Sequence, residues 1–249
     1  MPREKIVHFG FQKIPEKEKT ARVGRHFDIV ARRYDVMNTL LSFGIHYAWK
    51  RKAVGLLELK VGDVVIDCCG GTGDLSILAS RRVGPGGSVI LYDINRMMIE
   101  AGRRKSSNAV ARKEIAYVQG DAERISFKSG IFDAAMVGFG VRNLTHMEKG
   151  LQEIHRVVKR GGRFVCLEFS RPIHPLFRLL YDFYSFYIMP SAGFLLTGSR
   201  QAYTYLPESI RMFPSPRKLA ALLGKTGFRE VTYQTLSNGI AVVHRGIKV

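Results

Sequence analysis

The chain has 249 residues, 46% of them hydrophobic, which is enough for one substantial core, and we expect a single domain over residues 1–249. Lys and Arg outnumber Asp and Glu by 39 to 21, and the net charge of +18 favours an anionic partner, either a nucleic acid or a membrane surface. The chain has three cysteines without a CxxC pair, which excludes a disulfide-stabilised domain. We expect a cytoplasmic protein, because the N-terminus lacks a signal peptide and no apolar run reaches about 20 residues.

The first part of the chain, residues 1–59, is basic and helical in pattern. Its apolar spacing predicts helices over residues 24–38 and 40–57. This segment precedes the regular alternation of the remaining chain. We expect it to cover a ligand-binding site as part of a lid.

From residue 63 onward, apolar strand patterns alternate with helical ones. The strand patterns are DVVIDCC, SVILYDI, EIAYVQG, FDAAMVGFG, RFVCLEF, EVTYQTL and IAVVHRGIKV. The helical patterns are DLSILASRRV, NRMMIEAGRRK, MEKGLQEIHRVVKR and PRKLAALLGKTG. This alternation predicts a doubly wound α/β sheet. Ser-Asn-Gly between the last two strand patterns is a hairpin signal, so the final strand is predicted to lie antiparallel at the far end of the sheet.

An aromatic-rich segment, residues 171–205, interrupts the later alternation. Segments inserted after the carboxyl ends of strands commonly cover the ligand. We therefore expect this insert to complete the lid that the N-terminal segment begins.

The first strand of the sheet runs into a glycine-rich turn and then into a helix. The turn lacks the GxGxxG spacing of a dinucleotide site and fits D-x-G-x-G-x-G better, with Cys69 in place of the first glycine. Glycines let the backbone approach a ligand, and the helix that follows offers free N–H groups. The predicted cofactor contacts in this turn are Asp67, Gly70, Gly71, Thr72 and Gly73.

Further cofactor contacts are expected at the ends of the next strands. Asp93 is placed to accept both ribose hydroxyls of an adenosine, and the alternative is that it caps the following helix. Asp121 is placed to meet the adenine amino group, although alone it would more often be a helix N-cap. Ile94, Ala122 and Gly138 complete the predicted set. With the antiparallel sheet ending, this pattern favours a methyltransferase that uses S-adenosylmethionine over a dehydrogenase.

At this point the chain resembles the ubiquinone/menaquinone biosynthesis C-methyltransferases, which are class I S-adenosylmethionine-dependent enzymes. The motifs that carry the resemblance span nearly the whole chain: HFGFQ, YDVMNTLLSFGIHYAWK, GGTGDL, FGVRN, RVVKRGGRFVCLEFS, YLPESIRMFP and HRGIKV. The chain departs from the family pattern at Val158, Arg160, Cys69, Asp121 and Gly138. The resemblance implies methylation of a ring carbon of a polyprenylated quinol, either demethylmenaquinol, a methoxy-benzoquinol or both.

Two residues after the fourth predicted strand are candidate catalytic groups. Arg142 would stabilise a phenolate as a fixed charge, and Asn143 would orient a hydroxyl or a water molecule. A helix-capping Asn beside a surface Arg is the alternative. The resemblance adds His46 as a relay for the ring proton, while a lone histidine is more often structural. No metal is required for transfer of a sulfonium methyl group.

The substrate-side residues implied by the resemblance come from both lid segments. Tyr34 and Asn38 lie in the N-terminal segment. The aromatic insert is predicted to line a groove for an isoprenoid tail, with Phe186 and Tyr187 as contacts. Because such a quinol resides in a bilayer, the positive charge is predicted to hold the protein on the inner face of the membrane. The resemblance also leaves open a homodimer or a complex with other quinone-biosynthesis proteins.

Three other functions fit part of the pattern. One is methylation of a different small aromatic substrate. Another is methylation of RNA, which the positive charge would favour. However, the chain has neither a Pro-Pro-aromatic motif nor a cysteine after the fourth strand, so we expect no nucleic-acid partner. The last is a non-catalytic quinone or lipid carrier, which the nearly complete cofactor pattern disfavours.

Overall fold

The computed structural model of the chain describes residues 5–106, 114–197 and 200–249, and it contains all seven predicted strands. The sequence pattern did not reveal a short antiparallel hairpin of β1 (Ile6–Phe9) and β2 (Gln12–Pro15) that precedes them. The sheet strands are β3 (Val64–Cys68), β4 (Ser88–Asp93), β5 (Ile115–Gln119), β6 (Phe132–Gly138), β7 (Val158–Phe169), β8 (Phe228–Leu236) and β9 (Ala241–Lys248).

The seven strands form one sheet in the order β5-β4-β3-β6-β7-β9-β8. Strands β3 to β7 pair in parallel, and β9 pairs antiparallel with both β7 and β8, which confirms an antiparallel last strand. Its predicted position at the far end was wrong, because β9 lies one strand in from the edge. Most of β9 is buried while most of β8 is exposed, so the more apolar strand takes the inner place.

Helices cover both faces of the sheet because successive strand residues point to opposite sides. Val65 packs with Ala79 of α4 (Asp74–Val83), on the face that also carries α5 (Arg96–Ser106). Ile66 packs on the opposite face with Leu151 of α6 (Met147–Val157) and Leu219 of α10 (Pro216–Lys225). The four predicted helices are therefore present. Helix α6 ends three residues earlier than predicted, because Val158 pairs with Phe132 and begins β7.

The N-terminal segment is helical as predicted, but the predicted helix bounds were wrong. It forms α1 (Glu16–Val30), a 3-10 turn (Ala31–Arg33), α2 (Tyr34–Leu41) and α3 (His46–Gly55). Helix α1 begins directly after Pro15, and acidic side chains in its first turn suit the helix dipole. Phe43 and Gly44 adopt positive φ angles of 50° and 75°, which ends α2 and separates it from α3.

The aromatic insert is also helical. It forms α7 (Pro175–Phe183), a π-helical turn (Tyr184–Ile188), α8 (Met189–Thr197) and α9 (Arg200–Met212). Residues 198 and 199 of the predicted insert lie outside the described residues. Helix α9 continues beyond residue 205, so the insert is longer than predicted. Together with α1 to α3, it stands over the carboxyl ends of β3 and β6.

Candidate active site

The glycine-rich turn joins β3 to α4 in a conformation that requires its glycines. Gly71 and Gly73 have φ angles of 56° and 80°, which side-chain-bearing residues rarely adopt. A Cβ on Gly70 would lie 2.8 Å from the Cγ of Leu91 on the neighbouring strand. Cys69, with φ of 55°, takes the left-handed conformation without being a glycine, and its side chain fills space beside the backbone that follows β6. The turn is thus built to admit a ligand close to its backbone.

Asp67 supports this turn from below rather than facing a cavity. One of its carboxylate oxygens accepts a hydrogen bond of 2.6 Å from the hydroxyl of Ser76 in α4. Within the described part of the chain, its other oxygen has no hydrogen-bond partner. Burial raises the pKa of Asp67 to about 7. Thr72 also has a local role, since its hydroxyl donates to Asp35 at 2.7 Å.

Asp93 fixes the opposite wall of the same site. Its carboxylate accepts the backbone N–H groups of Gly71 at 2.9 Å and Asn95 at 2.8 Å, and burial raises its pKa. Each carboxylate oxygen retains capacity to accept a further hydrogen bond. Helix α5 is capped instead by Asn95, whose side-chain oxygen accepts the N–H of Met98 at 2.9 Å, so the capping alternative for Asp93 was wrong. Its contact with the ribose hydroxyls stays a prediction.

A cavity lies between the turn and the end of β4. Of the predicted cofactor contacts, six line this cavity and four do not. The lining ones are Gly71, Asp93, Ile94, Asp121, Ala122 and Gly138; the others are Asp67, Gly70, Thr72 and Gly73. One oxygen of Asp121 accepts the N–H of Glu123 at 2.8 Å within a turn, and no helix begins there, so the helix-cap alternative was wrong.

Helix α1 forms the outer wall of this cavity, and the sequence did not indicate which of its residues line it. Thr20, Val23 and Gly24 of α1 line it. Asn95 holds the helix in place, because its side-chain amide donates to the carbonyl of Gly24 at 3.1 Å and to Asp28 at 2.8 Å. The cavity measures about 80 Å³, less than the roughly 300–1,000 Å³ typical of small-molecule sites.

A larger cavity of about 780 Å³ lies on the other side of the β6 terminus, beneath the two lid segments. Its walls are mostly apolar and aromatic. The polar groups among them include His26, Tyr34, Asn38, His46, Lys50 and Arg142. Trp49 also lines this cavity, and its indole N–H donates to the hydroxyl of Ser237 at 2.9 Å, which anchors α3 to the turn between β8 and β9.

The two cavities share a wall of three aromatic residues. Phe27 of α1, Tyr34 of α2 and Phe139 after β6 line both of them. Phe139 has a positive φ of 59°, a strained conformation that places its ring between the cavities. Two ligands bound in the two cavities would therefore face each other across this wall.

Arg142 is held as a buried cation at the larger cavity. Its guanidinium contacts a carboxylate oxygen of Glu168 at 3.0 Å and also donates to the carbonyl of Phe139. Burial works to lower the pKa of Arg142, but the Glu168 carboxylate outweighs it and raises the pKa. Within the described residues, its Nε atom has no hydrogen-bond partner. Arg142 is thus not the surface residue of the alternative interpretation.

Asn143 connects the turn that follows β6 to the lid. Its side-chain oxygen accepts the hydroxyl of Tyr205 in α9 at 3.0 Å, and its amide donates to the carbonyl of Phe139 at 3.4 Å. It lines the smaller cavity, whereas Arg142 lines the larger one. Its position favours a role in orienting lid and turn.

His46 and His26 are neutral imidazoles at the larger cavity. Burial, followed by the charge of Lys50, lowers the pKa of His46 to about 4. Burial, followed by the charge of Arg142, also lowers the pKa of His26 to about 4. The sequence did not indicate a role for His26. His46 meets the hydroxyl of Thr39 at 3.3 Å through Nε2, while its Nδ1 has no partner among the described residues.

A charged network ties the N-terminal cover to the glycine-rich turn. Asp74, at the start of α4, contacts Lys50 at 2.5 Å and also Lys105 of α5. Lys105 continues to Asp35 of α2 at 2.9 Å. Burial alone would raise the pKa of Asp74, but the two lysines outweigh it and lower the pKa. The spacing of these residues along the chain gave no signal of the network.

The predicted tail contacts Phe186 and Tyr187 lie outside the larger cavity. Phe186 packs between the ring of Phe11 and the guanidinium of Arg211, and Tyr187 is exposed and stacks on Phe183. Earlier residues of the insert, in α7 and at the start of the π-helical turn, line the cavity instead. Those residues are Phe177, Leu180, Tyr181 and Tyr184.

The sheet order, the glycine-rich turn and the acidic residue at the end of the next strand define an S-adenosylmethionine-dependent methyltransferase. Residues of the motifs YDVMNTLLSFGIHYAWK and FGVRN line part of the larger cavity beside this site. The chain belongs to the ubiE/COQ5 methyltransferase family, whose model matches residues 15–248.

Relatives cover nearly the whole chain. The ubiquinone/menaquinone biosynthesis C-methyltransferase UbiE of Methylococcus capsulatus is 46% identical over 245 residues, which are 98% of this chain and 99% of the relative. The UbiE protein of Pseudomonas putida is 44% identical over 98% of this chain and 96% of the relative.

Solved structures with this fold are more distant. A methyltransferase from Thermotoga maritima, described as a possible histamine N-methyltransferase, has a TM-score of 0.63 and 21% identity, covering 91% of this chain and 100% of that one. The [4+2]-cyclase SpnF has a TM-score of 0.65 and 13% identity, covering 91% of this chain and 94% of that one. At such identities the likeness establishes the fold alone, and the substrate must be argued from the site.

Proposed function

We propose that the chain transfers a methyl group from S-adenosylmethionine to a ring carbon of a polyprenylated quinol. The observation that carries this proposal is the pair of cavities that meet at Phe27, Tyr34 and Phe139. One has the glycine-rich backbone and the carboxylate that suit an adenosine, and the other is large, apolar and polar at only a few points. The names of the relatives, which specify C-methylation in quinone biosynthesis, support the same reaction.

The residues that line the smaller cavity fit S-adenosylmethionine. Asp93 would accept the ribose hydroxyls, Ile94 would contact the adenine ring, and the free N–H groups of the turn would meet the polar end. When bound, this cofactor supplies an electrophilic methyl group. Because the cavity is small, we propose that α1 moves outward on binding, with its contacts to Asn95 breaking and reforming.

In the larger cavity, the chain would have to make a ring carbon nucleophilic. A quinol ring carbon gains electron density when the neighbouring hydroxyl loses its proton. The buried charge of Arg142 would stabilise the resulting phenolate, and burial strengthens this effect because water does not screen it. The reduced quinol is therefore the substrate in this proposal, and the oxidised quinone is not.

A base is also needed to remove the ring proton after methyl transfer. The methylated ring is a strong carbon acid because losing the proton restores its aromaticity. A weak base therefore suffices, and His46 is a neutral imidazole in the wall of the cavity. We propose His46 as the proton acceptor, with Tyr34 and Asn38 orienting the substrate hydroxyls.

The isoprenoid tail would leave the cavity between the two lid segments. Phe177, Leu180, Tyr181 and Tyr184 provide an aromatic and apolar wall in that direction. No helix within the described ranges is long and apolar enough to span a bilayer. We therefore propose that the protein reaches its membrane-borne substrate as a peripheral protein, drawn by its net charge of +18.

Complementation tests this function in a cell. Bacteria that lack their own quinone C-methyltransferase would receive the wild-type chain or an Arg142→Met variant, and their quinones would be identified by mass spectrometry. The proposal expects methylated menaquinone, methylated ubiquinone or both with the wild-type chain, and at least about 100-fold less with the variant. A wild-type chain that restores neither quinone would overturn the proposal.

A further inference from the structure

Helix α7 presents apolar side chains to solvent along its whole length. None of its nine residues, all within the described part of the chain, is buried. Leu176, Leu179 and Phe183 are spaced on one helical face, are 58–67% exposed, and do not line the larger cavity. A helix that lies on the surface of a soluble protein normally turns polar residues outward. An apolar outward face of this kind marks an interaction surface.

A second exposed apolar face lies on the other lid segment. Val36 and Leu40 point outward from α2 with exposed fractions of 64% and 50%, and Phe43 in the following loop is 87% exposed. The two faces adjoin, because the hydroxyl of Tyr184 donates to the carbonyl of Leu41 at 2.8 Å. The ring of Phe43 also lies 6.4 Å from that of Tyr184.

The larger cavity opens between these two faces. Phe43, Phe177 and Leu180 line the cavity and are also exposed, so they form its rim. Whatever covers the apolar faces therefore also covers the entrance for the substrate.

The charge of the chain decides what that partner is. Arg32 and Arg33 are exposed immediately before α2, and Arg178 within α7 donates its hydrogen bonds to neutral carbonyl groups, such as that of Pro172 at 2.9 Å. Two copies of a chain with a net charge of +18 would repel each other across this surface. An anionic bilayer attracts the arginines and accepts the apolar side chains.

We infer that Val36, Leu40, Phe43, Leu176, Leu179 and Phe183 form a docking surface that inserts into an anionic lipid bilayer. The surface places the cavity entrance against the membrane, so a quinol tail passes from the lipid into the protein without crossing water. The passage of the quinol tail rests on the proposed function, whereas docking to the bilayer does not.

The test compares the outward face of α7 with a matched exposed residue elsewhere. The variant carries Leu176→Ser, Leu179→Ser and Phe183→Ser. Single Leu179→Ser and Val61→Ser variants form the matched pair, since Val61 is 75% exposed in the loop before β3, at the amino end of that strand and away from the lid. Binding is measured by sedimentation with vesicles of phosphatidylethanolamine and phosphatidylglycerol.

The triple variant is expected to bind these vesicles at least about tenfold more weakly than wild type, and Val61→Ser to bind like wild type. Vesicles of phosphatidylcholine alone should bind the wild type more weakly. Equal vesicle binding by the triple variant and the wild type would overturn the proposal. So would a stable dimer in solution that the triple substitution dissociates.

A water-soluble short-tailed quinol separates docking from catalysis. The triple variant should methylate it with the wild-type kcat/KM, because the three side chains lie outside the cavity. If the triple variant does not fold, Val36→Ser with Leu40→Ser tests the adjoining face with the same expected loss. Failure of the wild type to methylate any short-tailed quinol would count against the proposed function, while the vesicle result would still decide the docking surface.

Discussion

Replacing Glu168 by Gln removes one charge from a buried ion pair while keeping the shape of the side chain. The side chains of Arg142 and Glu168 are 6% and 1% exposed, and the carboxylate also accepts the backbone N–H of Arg142 at 3.2 Å. The variant leaves the guanidinium as an uncompensated buried cation. Breaking such a pair typically costs about 3–5 kcal/mol, so the free energy of unfolding should fall by about 3 kcal/mol in urea titrations.

The double variant Arg142→Met with Glu168→Gln separates the structural from the chemical role of this pair. It removes the buried cation, so most of the lost stability should return. Its kcat should remain at least about 100-fold below wild type, because no fixed charge is left to stabilise the phenolate. A double variant with wild-type kcat would refute the role of Arg142. An unchanged stability of the single variant would refute the ion-pair energetics.

Gly71→Ala should destabilise the protein by about 1–2 kcal/mol and weaken S-adenosylmethionine binding in calorimetry, because Gly71 has a φ of 56° and its new Cβ would lie 3.2 Å from Met98. The control Gly224→Ala in α10 should not destabilise the protein, because a Cβ there meets open space. The pKa of His46 is lowered to about 4, so the unfolded chain binds the proton more readily. Stability should therefore fall as pH drops from about 6.5 to about 4, by at most about 3 kcal/mol, and urea titrations of His46→Gln should show a flatter dependence. Tyr181→Ala should raise the KM for long-tailed quinols more than for short ones, and Tyr187→Ala, outside the cavity, should leave both unchanged.

Each of these three has a contradicting result. Cofactor affinity of Gly71→Ala equal to wild type would show that the turn does not contact the ligand. An unchanged slope of stability against pH for His46→Gln would show that this histidine titrates normally. Equal effects of Tyr181→Ala on long and short quinols would place the tail elsewhere.

Local patterns predicted much of the fold because parallel sheets are buried on both faces. All seven strands were found, since each is an apolar run bounded by turn residues. The position of β9 was missed because strand order depends on how β8 and β9 compete for burial, which a hairpin signal does not contain. The bounds of α1 and α2 were missed because the break at residues 31–33 lies in a sequence of ordinary helical composition.

The candidate site was predictable where it lies at the ends of two adjacent strands. Asp93 and Gly71 meet because two adjacent strands end together, and the motif spacing records this. The buried partner of Arg142, Glu168, lies in a different strand and carries no local signal. The cavity-lining residues of the insert were misjudged because aromatic composition does not tell which side chains of a helix face inward.

The position and acceptor of the transferred methyl group test the central proposal most directly. The purified chain would receive S-adenosylmethionine with a ¹³C-labelled methyl group and a short-tailed quinol, either kept reduced or oxidised to the quinone, and the product would be examined by carbon NMR. The proposal predicts one labelled methyl on a ring carbon of the reduced quinol and none on the quinone. A label on oxygen, or equal labelling of quinol and quinone, would contradict it.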